Sequence, residues 1–387
     1  MNSIVNDLNR ALAQRLLVNV YQTTQDVVYT GYVTAVGETG IALATYDDYG
    51  LADGAVFLDL KIVDEVEFAS DDLDNMAFRI QTAQVEHFNQ VGGQTLKLDG
   101  RRDIRGQILS QAWVDQLVIM LVLRNDNRFY EGQVTSVVTD QVTIKLLNKF
   151  DYSDQPTLHV NPADIEVIEF QGQELSLQGS ALPQLKKLQH VEQVALTDED
   201  VFRPQLQELA EKDKLVALIP QHNHDMFFVG RINVVAGDSV IMNLVDMTGQ
   251  FGGYTLTRID ALHAIVLESD YLQTVSLFIE INQSSKQHIQ PVLNDERLFD
   301  PTEEQFSSRL TQAATFQTVI RVKAHKGDSM LGYPSDVGAE RFIFHELEDN
   351  QLDQVGKVLR IADIEEIDFG YLDAYLVEHQ LRVEGEI

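Results

Sequence analysis

The sequence predicts a mainly β protein with short helices, laid out as four tandem repeats, each an N-terminal helix plus a five-stranded small β-barrel. Three observations predict it. The octet "ADIEVIEF" (163–170) returns almost unchanged as "ADIEEIDF" (362–369), 199 residues later. The last large apolar residue of that segment and its weaker relatives, Phe68, Phe170, Leu267 and Phe369, recurs at gaps of 102, 97 and 102 residues. A glycine set in an apolar stretch, Gly31, Gly132, Gly230 and Gly332, keeps step at gaps of 101, 98 and 102. A period of this kind marks a chain made of repeated supersecondary units.

Each repeat opens with an amphipathic helical pattern. Ile4, Leu8, Leu12 and Leu16 fall at intervals of four, as a single buried stripe requires. Asn2, Asp198 and Asp300 are expected N-caps. After each helix come five apolar β-type runs; in the second repeat these are 117–123, 128–138, 141–148, 157–160 and 165–170. Turn-forming residues at 22–26, 124–127, 222–225 and 325–328 join the first two runs. A long strand in a small barrel must bend, and glycine is where strands bend, so the four glycines are read as bend residues.

The expected boundaries are 1–97 (helix 2–15, barrel 16–70), 98–197 (helix 102–116, barrel 117–171), 198–298 (helix 198–213, barrel 214–268) and 299–387 (helix 300–317, barrel 318–370). Segments 273–283 and 371–383 are expected to be ordered and to pack on their own barrels.

A helix followed by five short strands, with a glycine in the second, resembles the Sm-like small β-barrels, including the bacterial RNA chaperones of that type. Residues 118–148 look like the first Sm motif, and "TLHVNPADIEVIEF" (157–170) stands in place of the second. The resemblance covers the barrel part of every repeat. It implies RNA binding near the turn before the last strand, and association by pairing the fourth strand of one barrel with the fifth of the next. Lys61, Arg258 and Arg360 lie near that turn, but each has an aspartate within three residues, a departure from a basic RNA-binding turn.

Composition narrows the function. The chain of 387 residues has no cysteine, which excludes disulfides, thiolate metal sites and a cysteine nucleophile. Twenty-nine Lys and Arg against 60 Asp and Glu give a net charge of −31, a field that repels phosphate backbones at long range. The first twenty residues do not follow the basic-then-apolar plan of a secretory signal, and the longest apolar run, 117–123, is far below the roughly 20 residues of a membrane helix. The expectation is a soluble, cytoplasmic protein without membrane or DNA partners.

Candidate site residues fall into three groups. His222, His224 and Asp225 in "HNHD" are a weak metal candidate. Tyr46, Tyr49, Phe150, Tyr152 and Phe251 lie on loops between the third and fourth strands, where aromatic residues serve as anchors for protein partners. Arg101, Arg102 and Arg105 form a tight basic cluster ahead of a helix and, with Lys61, Arg258 and Arg360, are the candidates for RNA. Glu166 and Glu169 differ in parity along their strand and are read as solvated edge charges, not as an acid/base couple. No catalytic triad, phosphate loop or carboxylate pair stands out, so no catalytic residue and no cofactor is assigned. The expected function is a non-enzymatic scaffold or adaptor for protein partners or for its own copies, with RNA binding as the alternative.

Overall fold

The computed structural model describes residues 2–23, 27–90, 96–222, 226–325, 327, 329–348 and 351–387. It confirms a mainly β chain with eight α-helices among the described residues. The chain divides into two compact units, Met1–His190 and Val191–Ile387.

The first unit begins with α1 (Asn2–Gln14), β1 (Leu17–Gln22), β2 (Val28–Val36), β3 (Gly40–Tyr46), β4 (Ala52–Asp59), β5 (Val63–Glu67) and α2 (Asp71–Val85). It continues with α3 (Ile104–Val114), β6 (Val118–Leu123), β7 (Asp126–Val138), β8 (Gln141–Leu146), β9 (Thr157–Val160), β10 (Ile165–Phe170) and α4 (Gln173–Leu185). The second unit starts with β11 (Val194–Leu196), α5 (Phe202–Lys212), β12 (Leu215–Pro220), β13 (Phe228–Ala236), β14 (Ser239–Val245), β15 (Phe251–Arg258), β16 (Leu262–Glu268) and α6 (Asp270–Ser285). Last come α7 (Gln305–Phe316), β17 (Ile320–Ala324), β18 (Ser329–Ser335), β19 (Arg341–Glu348), β20 (Gln351–Leu352), β21 (Lys357–Arg360), β22 (Ile364–Phe369) and α8 (Leu372–Glu384).

These strands do not close into separate barrels, which corrects the expectation of four closed units. The first unit holds one open antiparallel sheet of ten strands in the order β5-β1-β2-β3-β4-β10-β6-β7-β8-β9. The second holds one of twelve, β11-β16-β12-β13-β14-β15-β22-β17-β18-β19-β20, with β21 also on β19. In each, a fourth strand pairs not with its own fifth strand but with the fifth strand of the following stretch: β4 with β10, and β15 with β22. The registers coincide at an offset of 199 residues, Ala55 to Phe170 and Leu58 to Val167 against Tyr254 to Phe369 and Thr257 to Glu366.

The repeated octet is therefore the strand at the centre of each sheet together with the short 3-10 turn that enters it. Both its edges are hydrogen-bonded, β10 to β4 and β6, β22 to β15 and β17. Glu166 and Glu169 consequently do not lie on a solvated edge. Glu166 is buried, and Glu169 accepts a 2.7 Å hydrogen bond from the Tyr29 hydroxyl. Burial raises the pKa of the Glu169 carboxyl, since little water reaches it to stabilise the charge.

In the first unit the sheet is covered on both faces around its centre, which matches the apolar run of β6 beside the central strand. Along β6, Val118, Met120 and Val122 join Leu8 and Ala11 of α1 and Leu175 and Leu182 of α4. The alternate residues Ile119 and Leu121 turn to the other face, against Ile104, Ile108 and Leu109 of α3. In the second unit α5, α7, α6 and α8 cover the sheet in separate clusters. Segments 273–283 and 371–383 are the helices α6 and α8, ordered and packed on the sheet as their patterns suggest.

Several boundaries move: α1 already includes Asn2, and the helix expected at 198–213 begins at Phe202, after a 3-10 turn that Asp198 caps. The units divide at 190/191, not 197/198, because β11 pairs with β16 of the second unit. The helix expected at 300–317 begins at Gln305; Asp300 accepts from the Thr302 amide in the approach, and the cap is Glu304, which accepts from the Phe306 and Ser307 amides. A cap was also hidden in the first half of each unit. Ser70 and Ser269, again 199 residues apart, accept from the amides of Leu73 and Leu272 and start α2 and α6. Among the described residues no helix is long and apolar enough to cross a membrane.

The four marker glycines sit where the second strand presses against the third. A Cβ on Gly31 or Gly230 would collide with the carbonyl oxygen of Ala44 or Asn243, and Gly132 and Gly332 face Lys145 and His345 in the same way. In three of the four the ladder slips by one residue just beyond the glycine, at Val33/Ala35, Val134/Ser136 and Ile232/Val234. In the fourth, where Pro334 follows, no slip interrupts the β18–β19 register. We expect Gly31→Ala or Gly230→Ala to cost about 2–4 kcal/mol, because backbone must move to admit the methyl. Gly179→Ala within α4, whose nearest neighbour would be Val118 Cγ2 at 3.8 Å, should instead leave stability unchanged or raise it by about 0.5–1 kcal/mol. Denaturant titration of the three variants checks both signs.

On β22 the second unit places Glu366 and Asp368 where the first has Val167 and Glu169. Burial, with the Asp368 carboxylate beside it, pushes Glu366 up to about 8, and burial raises Asp368 as well. Unfolded carboxyls lose their protons near pH 4. From about pH 4.5 to about 8 the folded chain therefore holds protons that the unfolded chain has released, and stability falls as pH rises. Glu366→Gln should raise the melting temperature at pH 8 and change it little at pH 4.5.

Candidate functional site

Two of the RNA candidates are structural joints. Arg105, on the first turn of α3, lies 2.6 Å from the Asp59 carboxylate at the end of β4 and donates to the Pro162 carbonyl at 2.9 Å. Both side chains are buried, 10 % and 5 % exposed, and the guanidinium also lies over the Phe57 ring. The second unit puts a guanidinium in the same place from the opposite side. Arg258, at the end of β15, donates to the carbonyls of Ile364 and Ile361 and stacks over Phe306 of α7, 4.3 Å from the ring centroid. Asp59 and Arg258 are 199 residues apart, as are Pro162 and Ile361. Such cations are spent on carbonyls and carboxylates within the fold and are withdrawn from any phosphate.

The remaining basic candidates stay outside. Arg101, Arg102 and Lys61 are exposed, and Arg360 lies 3.8 Å from Asp363. They form no continuous basic surface with Arg105 or Arg258, whose side chains are taken up in the joints.

The aromatic candidates divide in the same way. Phe251 is buried against Tyr254 in the second unit's core and offers no surface to a partner, which corrects its reading as an anchor. Tyr46 is half-buried and packs edge-on against Tyr32, ring centroids 5.9 Å apart; Tyr152 is half-buried too. Tyr49 is exposed, and Phe150 is 57 % exposed. Beside Phe150 the structure places Phe129, 55 % exposed, which the loop-based reading missed because it lies on β7. The two phenylalanines line an open groove of about 270 Å³ together with Leu146, Lys149 and Pro156. The cationic head of Lys149 lies between the carboxylates of Glu131 and Glu174. The groove abuts the loop that leads into β9, the end strand of its sheet.

A second cavity of about 320 Å³ lies between α7, α8 and the segment 292–297. Two guanidiniums meet at its wall, where Arg297 and Arg309 both donate to the Gln312 side-chain oxygen, at 3.1 and 3.0 Å. Desolvation lowers the Arg309 pKa, the nearby Arg297 charge adding to the effect, while Glu303 partly offsets it.

His222 finds its neighbours on another turn. His224 and Asp225 lie outside the described residues. His222 Nε2 is 3.7 Å from Glu365 Oε1, and the same oxygen is held by His325 Nδ1. The two imidazoles meet edge to face with centroids 5.3 Å apart. A histidine was visible in each turn sequence, but only the sheet order brings the two turns to one carboxylate.

Comparison with known proteins adds little. No family model and no curated protein matches the chain. Among solved structures it aligns with proteasome accessory factor B/C (PafBC) of Arthrobacter aurescens at 9 % identity and a TM-score of 0.13, over 94 % of this chain and 63 % of that one. A likeness at that level carries no argument about fold or function.

Removing the Arg105 cation leaves Asp59 buried without a counter-charge. Arg105→Ala should therefore cost about 3–5 kcal/mol, whereas Arg101→Glu with Arg102→Glu should stay within about 0.5 kcal/mol per site. Urea titration with a secondary-structure readout distinguishes the two.

Proposed function

We propose that the chain is a non-enzymatic scaffold or adaptor assembled from four Sm-like stretches, which captures an extended strand of a protein partner or of a second copy. The observation that carries this reading is the treatment of fourth strands. β4 and β15 are each capped by a buried fifth strand, β10 and β22. β9, the fourth strand of the second stretch, ends its sheet with no strand beyond it among the described residues. An end strand presents unpaired backbone donors and acceptors, and adding a strand to such an edge is a standard mode of peptide recognition. The aromatic groove beside it supplies apolar surface for a side chain of the incoming segment. Support for the Sm-like reading comes from the order helix then five strands, and from the fourth-to-fifth strand pairing that this family uses between subunits.

RNA binding is less well supported, since Arg105 and Arg258 are occupied in the joints and the net charge is −31. The test uses the full chain. Sedimentation across a concentration series, and pull-down from lysate with and without nuclease, are compared with a variant carrying Thr157→Lys, His159→Lys, Phe129→Ala and Phe150→Ala. The expected outcome is nuclease-resistant self-association or protein capture that the variant loses while its melting temperature stays within a few degrees. Association unchanged in the variant, or complexes that survive only with RNA, would overturn the reading.

A further inference from the structure

Glu166 and Glu365 occupy the same place in the two units, one residue into the central strand and 199 residues apart. Both carboxylates are withdrawn from water, 11 % and 13 % exposed. Such a group needs a cationic partner. In the first unit the chain supplies one permanently: Arg124 Nε is 3.5 Å from Glu166. Its position is fixed by the backbone, because the Arg124 amide donates to the carbonyl of Asp164 at 2.8 Å.

The same backbone bond in the second unit, 2.8 Å to the carbonyl of Asp363, belongs to His325. The guanidinium has thus been replaced by an imidazole, which carries no permanent charge. A second imidazole, His222, arrives from the turn between β12 and β13. Where one unit holds a fixed cation against its carboxylate, the other holds two nitrogen donors around it.

We propose that His222, His325 and Glu365 bind a divalent transition-metal ion, zinc in the first instance, which takes the electrostatic place of the Arg124 guanidinium. The donor atoms of the three residues lie within 4.8 Å of one another. Tetrahedral zinc holds nitrogen and oxygen ligands at about 2.0–2.2 Å, so its ligands stand about 3.3–3.5 Å apart. His222, 3.7 Å from the Glu365 oxygen, closes by a few tenths of an ångström, while His325, which already touches that oxygen, draws back to admit the ion; both side chains, 37 % and 57 % exposed on turns, have room to shift. Two imidazoles and one carboxylate suit zinc or cobalt better than calcium or magnesium, which demand more oxygen ligands. Three protein ligands leave a fourth position for water. The ion would also tie the turn after β12 to the strand β22, fastening the two halves of the second unit's sheet.

The full chain, stripped with a chelator and dialysed, is titrated with Co²⁺ by visible absorption and with Zn²⁺ by calorimetry. The expected result is one saturable equivalent at micromolar concentration, with the visible band of four- or five-coordinate cobalt and a raised melting temperature. His222→Ala and His325→Arg should each weaken binding by at least about 100-fold, since loss of even an outer-sphere partner costs 10–100-fold. His325→Arg rebuilds the arginine–carboxylate pair of the first unit and should keep the metal-free melting temperature, which separates lost binding from lost folding. His87→Asn, at an exposed histidine beyond the end of α2, should bind as the wild type does. No saturable equivalent in the wild type, or binding that persists in both His222→Ala and His325→Arg, would overturn the proposal.

Discussion

The pairing of a fourth strand with the next fifth strand is the constraint on which each unit rests. It turns two five-strand stretches into one continuous sheet and places β10 or β22 at its centre. A strand in that position has both edges bonded and both faces covered, so its backbone groups are satisfied by neighbours and its side chains have to be apolar or individually compensated. That double demand explains why the octet at 163–170 is the segment most faithfully repeated, and why its partner lies 199 residues away when the strand pattern itself repeats about every hundred. The strands at the sheet ends have a strand partner on one edge only among the described residues.

Charge at the joint is preserved while the residue supplying it changes. Arg105 reaches from helix to strand to meet Asp59; Arg258 reaches from strand to helix and rests on Phe306. In both, a guanidinium donates to a carbonyl of the 3-10 turn that enters the central strand. Arginine suits this place because its planar fork bonds several acceptors while its face covers an aromatic ring. One step along the central strand, the two units differ in kind, a built-in cation beside Glu166 and a pair of imidazoles around Glu365. The matching registers of the two units thus let each such position be read against its counterpart.

Much of the local structure was legible. Periodicity marked the amphipathic helices α1, α3, α5 and α7, and turn residues separated the strands between them. The marker glycines were read as bend residues; the structure adds the close approach of a neighbouring strand, which leaves no room for a side chain. Closed barrels were not formed, because the fifth strand of one stretch is taken by the fourth strand of another, an outcome that local pattern does not register. Burial of Arg105 and Phe251 was missed for a related reason: a cation before a helix and an aromatic on a loop read as surface until the sheet folds over them.

By itself the sequence determined the element types, the absence of thiol chemistry and the acidic balance of charge, since each depends on neighbours along the chain or on composition alone. Only the tertiary structure decided which strands share an edge, which charges are spent inside the fold and which turns meet. Those outcomes rest on contacts between residues tens to hundreds of positions apart, such as Tyr29 with Glu169 and His222 with Glu365. Hydrogen-bonding edges are alike in every strand, so the choice among them is made by the packing of whole faces and by the few buried charges that must find a partner.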